Sequence, residues 1–141
     1  GAVPVIYNNS TGTITVNQGT FISTGANVLA NMSTGTVELN GGTFTGQGAS
    51  LPTIYNAAEG GSITVDGATI SGENTGSAVY NEGNFTLKSG SITATGESVA
   101  INDQGTGNTT IESGEITTTG ARNTLYHSST GTLTINGGTI T

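Results

Sequence analysis

A motif of the form G-T-φ-T-φ-N-G-G-T-φ-T, with φ apolar, recurs about six times along this chain. Its anchor glycines are Gly12, Gly35, Gly61, Gly83, Gly107 and Gly131, spaced by 23, 26, 22, 24 and 24 residues. A period of this length marks a stack of repeated units, each too small to bury its own apolar face. The repeat runs end to end without a linker, so residues 1–141 read as a single domain. The chain starts and stops inside a unit and lacks polar terminal caps. It therefore reads as an excised piece of a longer repeat protein, with Gly1 a remnant of cloning.

Within each unit the apolar period is two. In Thr13-Ile14-Thr15-Val16 apolar residues alternate with threonines, Asn17-Gln18-Gly19 turns the chain, and Thr20-Phe21 resumes the alternation. Alternation between Gly/Asn turns is a strand signal, and Thr, Ile and Val suit a pleated surface. The expectation is an all-β fold, a parallel β-helix (β-solenoid) of about six rungs. Each rung has about 24 residues and three short strands. Rungs about 4.8 Å apart give a coil roughly 29 Å long.

Stacking places equivalent residues above one another, and the columns sort by chemistry. Four apolar columns must face inward. They are Ile14, Val37, Ile63, Phe85, Thr109, Leu133; Val16, Leu39, Val65, Leu87, Ile111, Ile135; Phe21, Phe44, Ile70, Ile92, Ile116, Ile140; and Ile6, Leu29, Ile54, Val79, Ala100, Leu125. Thr109 is the one polar interruption. These ordered columns set the chain apart from a low-complexity coil, despite 24 glycines and only 8% charged residues.

The net charge is −7, with Lys88 and Arg122 the only basic residues besides His127. A chain so short of cations has no footprint for nucleic acid or for an anionic membrane surface. Anionic polysaccharides are disfavoured too. The absence of cysteine excludes disulfides and thiolate metal sites. No cofactor motif is present: the glycines sit at corners where positive φ is needed, outside any phosphate-cradling pattern.

The strings VYNEGNFTLKSGSITATG and LYHSSTGTLTINGGTIT resemble the YN-x-GTLTINGGTIT repeats of adhesin-like cell-surface proteins of Gram-positive bacteria. The resemblance covers essentially the whole chain. It implies a right-handed coil and an extracellular, secreted or wall-attached location. It also implies a role in adhesion or as a stalk, some relatives being carbohydrate-binding.

Candidate binding chemistry lies in the column Tyr7, Ala30, Tyr55, Tyr80, Ile101, Tyr126. It neighbours an inward column and so points outward. Its tyrosines, Tyr7, Tyr55, Tyr80 and Tyr126, are the candidate ligand-binding residues, an exposed and roughly coplanar platform for sugar rings. Mutual stacking of those rings is the structural alternative. A neutral glycan or a host surface is the expected partner, together with end-to-end self-association through uncovered strand edges.

The adjacent column, Asn8, Asn31, Asn56, Asn81, Asn102, His127, reads as corner amides bonding the neighbouring rung's backbone. His127 is a corner substitute there. At the second corner, Asp66, Lys88 and Glu112 read as a surface charge ladder. Arg122 reads as an ion-pair partner of Glu97. Glu59, Glu82 and Asp103 fall at similar corners as solvated acids, with a weak calcium site as the alternative.

The acids otherwise scatter over all rungs, which argues against a polysaccharide lyase or hydrolase and for a non-enzymatic module. Ice binding is the rival function. It would use outward threonine rows such as Thr13/Thr15 and Thr43/Thr45, but Glu38 and Glu115 interrupt those rows.

Overall fold

The computed structural model describes residues 2–48, 50–57, 60–73 and 76–141. Among these residues there is no helix. Parallel strands stack as a β-solenoid of about five turns with about 24 residues per turn. One face stacks β1 (Ile6–Asn8), β4 (Leu29–Asn31), β7 (Ile54–Asn56), β9 (Ser77–Asn81), β11 (Val99–Asp103) and β14 (Leu125–His127) in that order. The second face stacks β2 (Thr13–Val16), β5 (Thr36–Leu39), the first halves of β8 (Ser62–Glu73) and β10 (Asn84–Thr95), then β12 (Thr109–Ile111) and β15 (Leu133–Ile135). The third stacks β3 (Thr20–Ser23), β6 (Thr43–Gln47), the second halves of β8 and β10, then β13 (Glu115–Thr118) and β16 (Thr139–Ile140).

Three inward columns stand as the alternation predicts. Ile14 pairs with Val37, Val37 with Ile63, Ile63 with Phe85, Phe85 with Thr109 and Thr109 with Leu133. The column from Val16 to Ile135 and the column from Phe21 to Ile140 are equally continuous. Their middle members are fully buried, and Phe21 stacks on Phe44 with ring centroids 5.0 Å apart.

The fourth column differs by one residue in β11. Ile101, not Ala100, pairs with Val79 below and Leu125 above. A one-residue slip moves every side chain of a strand to its other face. Asn102 therefore takes the place expected for Ile101 in the tyrosine column, pairing with Tyr80 and Tyr126. Asp103 takes the place expected for Asn102, between Asn81 and His127. The run Val99-Ala100-Ile101 leaves the register open in sequence. Seating Ile rather than Ala in the column buries more apolar area, at about 0.8 kcal/mol per CH₂.

The second corner is a turn in most rungs, but β8 and β10 run through it without a break. Register shifts flank Ser89, which pairs with Asp66 and donates to its Oδ1 at 2.8 Å. Lys88 is thereby displaced from the column and is exposed. The charge ladder of Asp66, Lys88 and Glu112 does not form: among the described residues Arg122 pairs with Glu97, and the other acid–base contact is His127 with Asp103. Arg122 and Glu97 meet at 3.3 Å with both side chains largely exposed, a contact of small energetic weight.

Two glycine columns serve different needs. Gly90, with φ 109°, bends β10 at the corner in a conformation that L side chains rarely adopt. The anchor glycines do not use positive φ. They stand where rungs approach closely, and a Cβ on Gly107 would overlap the Gly83 carbonyl.

Candidate functional site

A buried amide ladder runs up one corner of the solenoid. Asn8 Nδ2 donates to Asn31 Oδ1 at 2.8 Å, Asn31 to Asn56 at 3.0 Å, Asn56 to Asn81 at 2.8 Å, and Asn81 to Asp103 Oδ1 at 2.9 Å. The same amides cap anchor-glycine carbonyls in their own rungs. Asn31 reaches Gly35, Asn56 reaches Gly61, and Asn81 reaches Gly83. Bonds to the adjacent rung's backbone are the minor part, as from Asn56 to the Asn84 carbonyl at 3.0 Å. The ladder thus satisfies itself from amide to amide and through the carbonyls of its own rungs.

At its upper end the ladder changes chemistry. Asp103 is fully buried, in contrast to the solvated corner acid expected from sequence. Its Oδ1 accepts from Thr109 Oγ1 at 2.7 Å and from Asn81, and its Oδ2 lies 2.6 Å from His127 Nδ1. The interruption of an apolar column by Thr109 is explained here: a buried carboxylate needs donors, and Thr109 supplies one. An ionised carboxylate accepts only, so His127 donates from Nδ1. His127 is a specific partner of Asp103 rather than a neutral corner substitute.

No cluster of three metal-ligating side chains occurs among the described residues, and these bonds do not support the calcium alternative. Asp103 is committed inside the coil, Glu82 serves a separate cleft, and Glu59 lies outside the described residues.

A cleft opens on the outer surface. Its volume is about 290 Å³, and Asn27, Leu51, Pro52, Tyr55, Tyr80 and Glu82 line it. Strands β7 and β9 place the two tyrosines in register one rung apart. Leu51 and Pro52 come from the long β6–β7 connection, behind the 26-residue spacing from Gly35 to Gly61. Asn27 Nδ2 fixes that wall by donating to the Pro52 carbonyl at 2.6 Å.

Tyr55 and Tyr80 do not form a coplanar platform. Their rings meet edge to face, centroids 5.7 Å apart and planes at 63°, and both are half-buried. Tyr55 Oη donates to Glu82 Oε2 at 2.7 Å. Tyr7 and Tyr126 are well exposed and stand beside Ala30 and Asn102, away from the cleft lining. The four tyrosines thus divide into one interacting pair and two solitary rings. Sequence reasoning missed Asn27, Leu51 and Pro52, and it read Glu82 as a solvated corner acid or calcium ligand rather than a wall of the cleft. The available signals were the irregular spacing and an acid directly after a ladder asparagine.

Burial, the hydrogen bond to Glu82 and the charge of Glu82 push the Tyr55 phenol from 10.0 up to about 12. Burial and Glu82 raise Tyr80 as well. A raised phenol pKa favours the neutral form in the folded state. Its stabilising contribution is fully present below pH 10.0 and is lost as pH rises through about 12. An alkaline titration followed by tyrosinate absorbance is expected to show a late step near pH 12 that Tyr55→Phe removes. Glu82→Gln is expected to move that step to lower pH. A step unchanged in both variants would contradict this assignment.

The chain is a parallel β-solenoid with a small aromatic–carboxylate cleft on its flank. Comparison with known protein families, curated proteins and solved structures finds no match.

Proposed function

We propose that this chain is a non-enzymatic, extracellular glycan-binding or adhesion module of a bacterial surface protein. The solenoid acts as the stalk that carries the binding cleft. The observation that carries this reading is the juxtaposition of two aromatic rings, a carboxylate and an apolar Leu51–Pro52 wall around one cavity. Sugar rings present apolar C–H faces and hydroxyl edges, and those wall types answer both. The resemblance of the repeats to surface adhesins supports the location.

Binding at a shallow cleft is expected to be weak, since much of the ligand stays in water. Acidic oligosaccharides are expected to be absent from the hits of a glycan screen, given the chain's net charge of −7. Replacing Tyr55 and Tyr80 together by Ala is expected to weaken that binding about tenfold or more with strand content intact. Equal binding by parent and variant would refute the cleft as the site. Ice crystals grown with the protein are expected to keep their shape. Its threonine rows carry Glu38, which accepts from Thr15 at 3.3 Å and brings a hydrated charge into the surface.

The same reading includes head-to-tail contact between copies of this 141-residue chain. Val3, Val5 and Ile22 at one end and Ile135 and Ile140 at the other are exposed, and each end presents a parallel strand edge. A mass that rises with concentration in light scattering is the expected result. A constant monomer mass up to millimolar concentration would exclude it.

A further inference from the structure

The charge balance of the cleft narrows the ligand class. Glu82 is half-buried, and among the described residues its carboxylate receives a hydrogen bond from a neutral phenol and makes no ion pair. No basic side chain lines the cleft among the described residues. Of the two cationic residues, Arg122 is engaged with Glu97, and Lys88 is exposed at the corner between the second and third faces. Two tyrosine rings at 63° line the same cavity, and aromatic rings attract a cation placed over their faces. Glu82 also helps raise both phenols, a sign that its negative potential reaches the rings.

We infer that the cleft formed by Tyr55, Tyr80 and Glu82 selects a sugar bearing a protonated amino group, an amino sugar, over its neutral counterpart. This rests on the glycan-binding reading and refines it. The apolar face of the sugar lies against the aromatic and Leu51–Pro52 walls. The ammonium supplies the counter-charge that Glu82 lacks, through a charge-assisted hydrogen bond to the carboxylate oxygens. An acidic sugar is rejected by the same carboxylate. An N-acetylated sugar keeps its shape but loses the charge, and with it the electrostatic gain.

The test compares a glucosamine oligosaccharide with its N-acetylated form of equal length, by calorimetry on the full chain at a pH where the amine is protonated. The free amine is expected to bind about fivefold to tenfold tighter, with the difference shrinking as salt is added. Glu82→Gln keeps an acceptor for the Tyr55 hydroxyl and removes the charge. It is expected to bring the two ligands to equal affinity while retaining the weaker binding. Glu115→Gln, outside the cleft, is expected to leave the preference intact. Equal affinities in the parent chain would overturn the inference and leave the glycan reading standing. A preference that survives Glu82→Gln undiminished would also overturn it, by showing that the carboxylate is not its source. Failure of both ligands to bind would remove the inference and the glycan reading together.

Discussion

Phe44→Asp is expected to abolish folding, while Thr45→Asp, one residue further on, leaves the domain folded. Phe44 is fully buried in β6, stacked on Phe21 below and paired with Ile70 above. Removing a core phenylalanine ring costs about 3–5 kcal/mol before any charge is considered. An unpaired buried carboxylate adds a desolvation penalty of several kcal/mol. Together these approach or exceed the roughly 5–15 kcal/mol that holds a typical domain together. Thr45 lies on the outer side of the same strand, and its contact with Ser71 is long at 3.4 Å. Its replacement is expected to shift stability by less than about 1 kcal/mol. Far-ultraviolet circular dichroism and thermal melts of both variants measure this. Comparable stability of the two would mean that the strand faces are assigned the wrong way round.

The second large effect is expected at Asp103. Asp103→Leu removes the acceptor shared by Asn81, Thr109 and His127, all three reaching it inside or at the edge of the coil. Breaking a buried, hydrogen-bonded charge site costs about 3–5 kcal/mol. Asp103→Asn behaves differently. Its oxygen still accepts from Asn81 and Thr109, and its amide donates to the His127 Nδ1 in the other tautomer. A change within about 1 kcal/mol is expected for Asn. Denaturant midpoints at constant slope separate these outcomes. Equal losses for Leu and Asn would show that the charge itself, not the set of hydrogen bonds, holds the upper rungs.

The fold was legible because apolar alternation and glycine spacing repeat the same message in nearly every rung. Three columns could be written down from Ile14, Val16 and Phe21 upward without the structure. Where the message was written once, it was ambiguous. Ala100 and Ile101 are both apolar, so the phase of β11 depended on which one the core prefers and on the partners that await Asp103. The corner at Lys88 was obscured for a related reason: two register shifts of opposite sense flank Ser89 and cancel, so the alternation on either side is unchanged. The cleft was legible only in its tyrosines. Its other wall comes from a connection that breaks the repeat, and departures from a period carry no instruction about where the chain will lie. The tilt between the rings depends on packing against Glu82 and Leu51–Pro52, which spacing does not encode.

The amide ladder gives this solenoid a sense of direction. An asparagine both donates and accepts, so one can follow another indefinitely, and each step from Asn8 to Asn81 points the same way. A carboxylate can receive such a chain but cannot pass it on. Asp103 is therefore a terminus, sealed by Thr109 and His127. Insertion or removal of a whole rung below Asp103 is consequently expected to preserve the ladder, since each new amide finds the same neighbours. Directly above it, a rung must offer a donor toward the carboxylate, as His127 does. A designer wishing to lengthen the coil would insert new rungs beneath β11, where each new amide meets an amide on both sides.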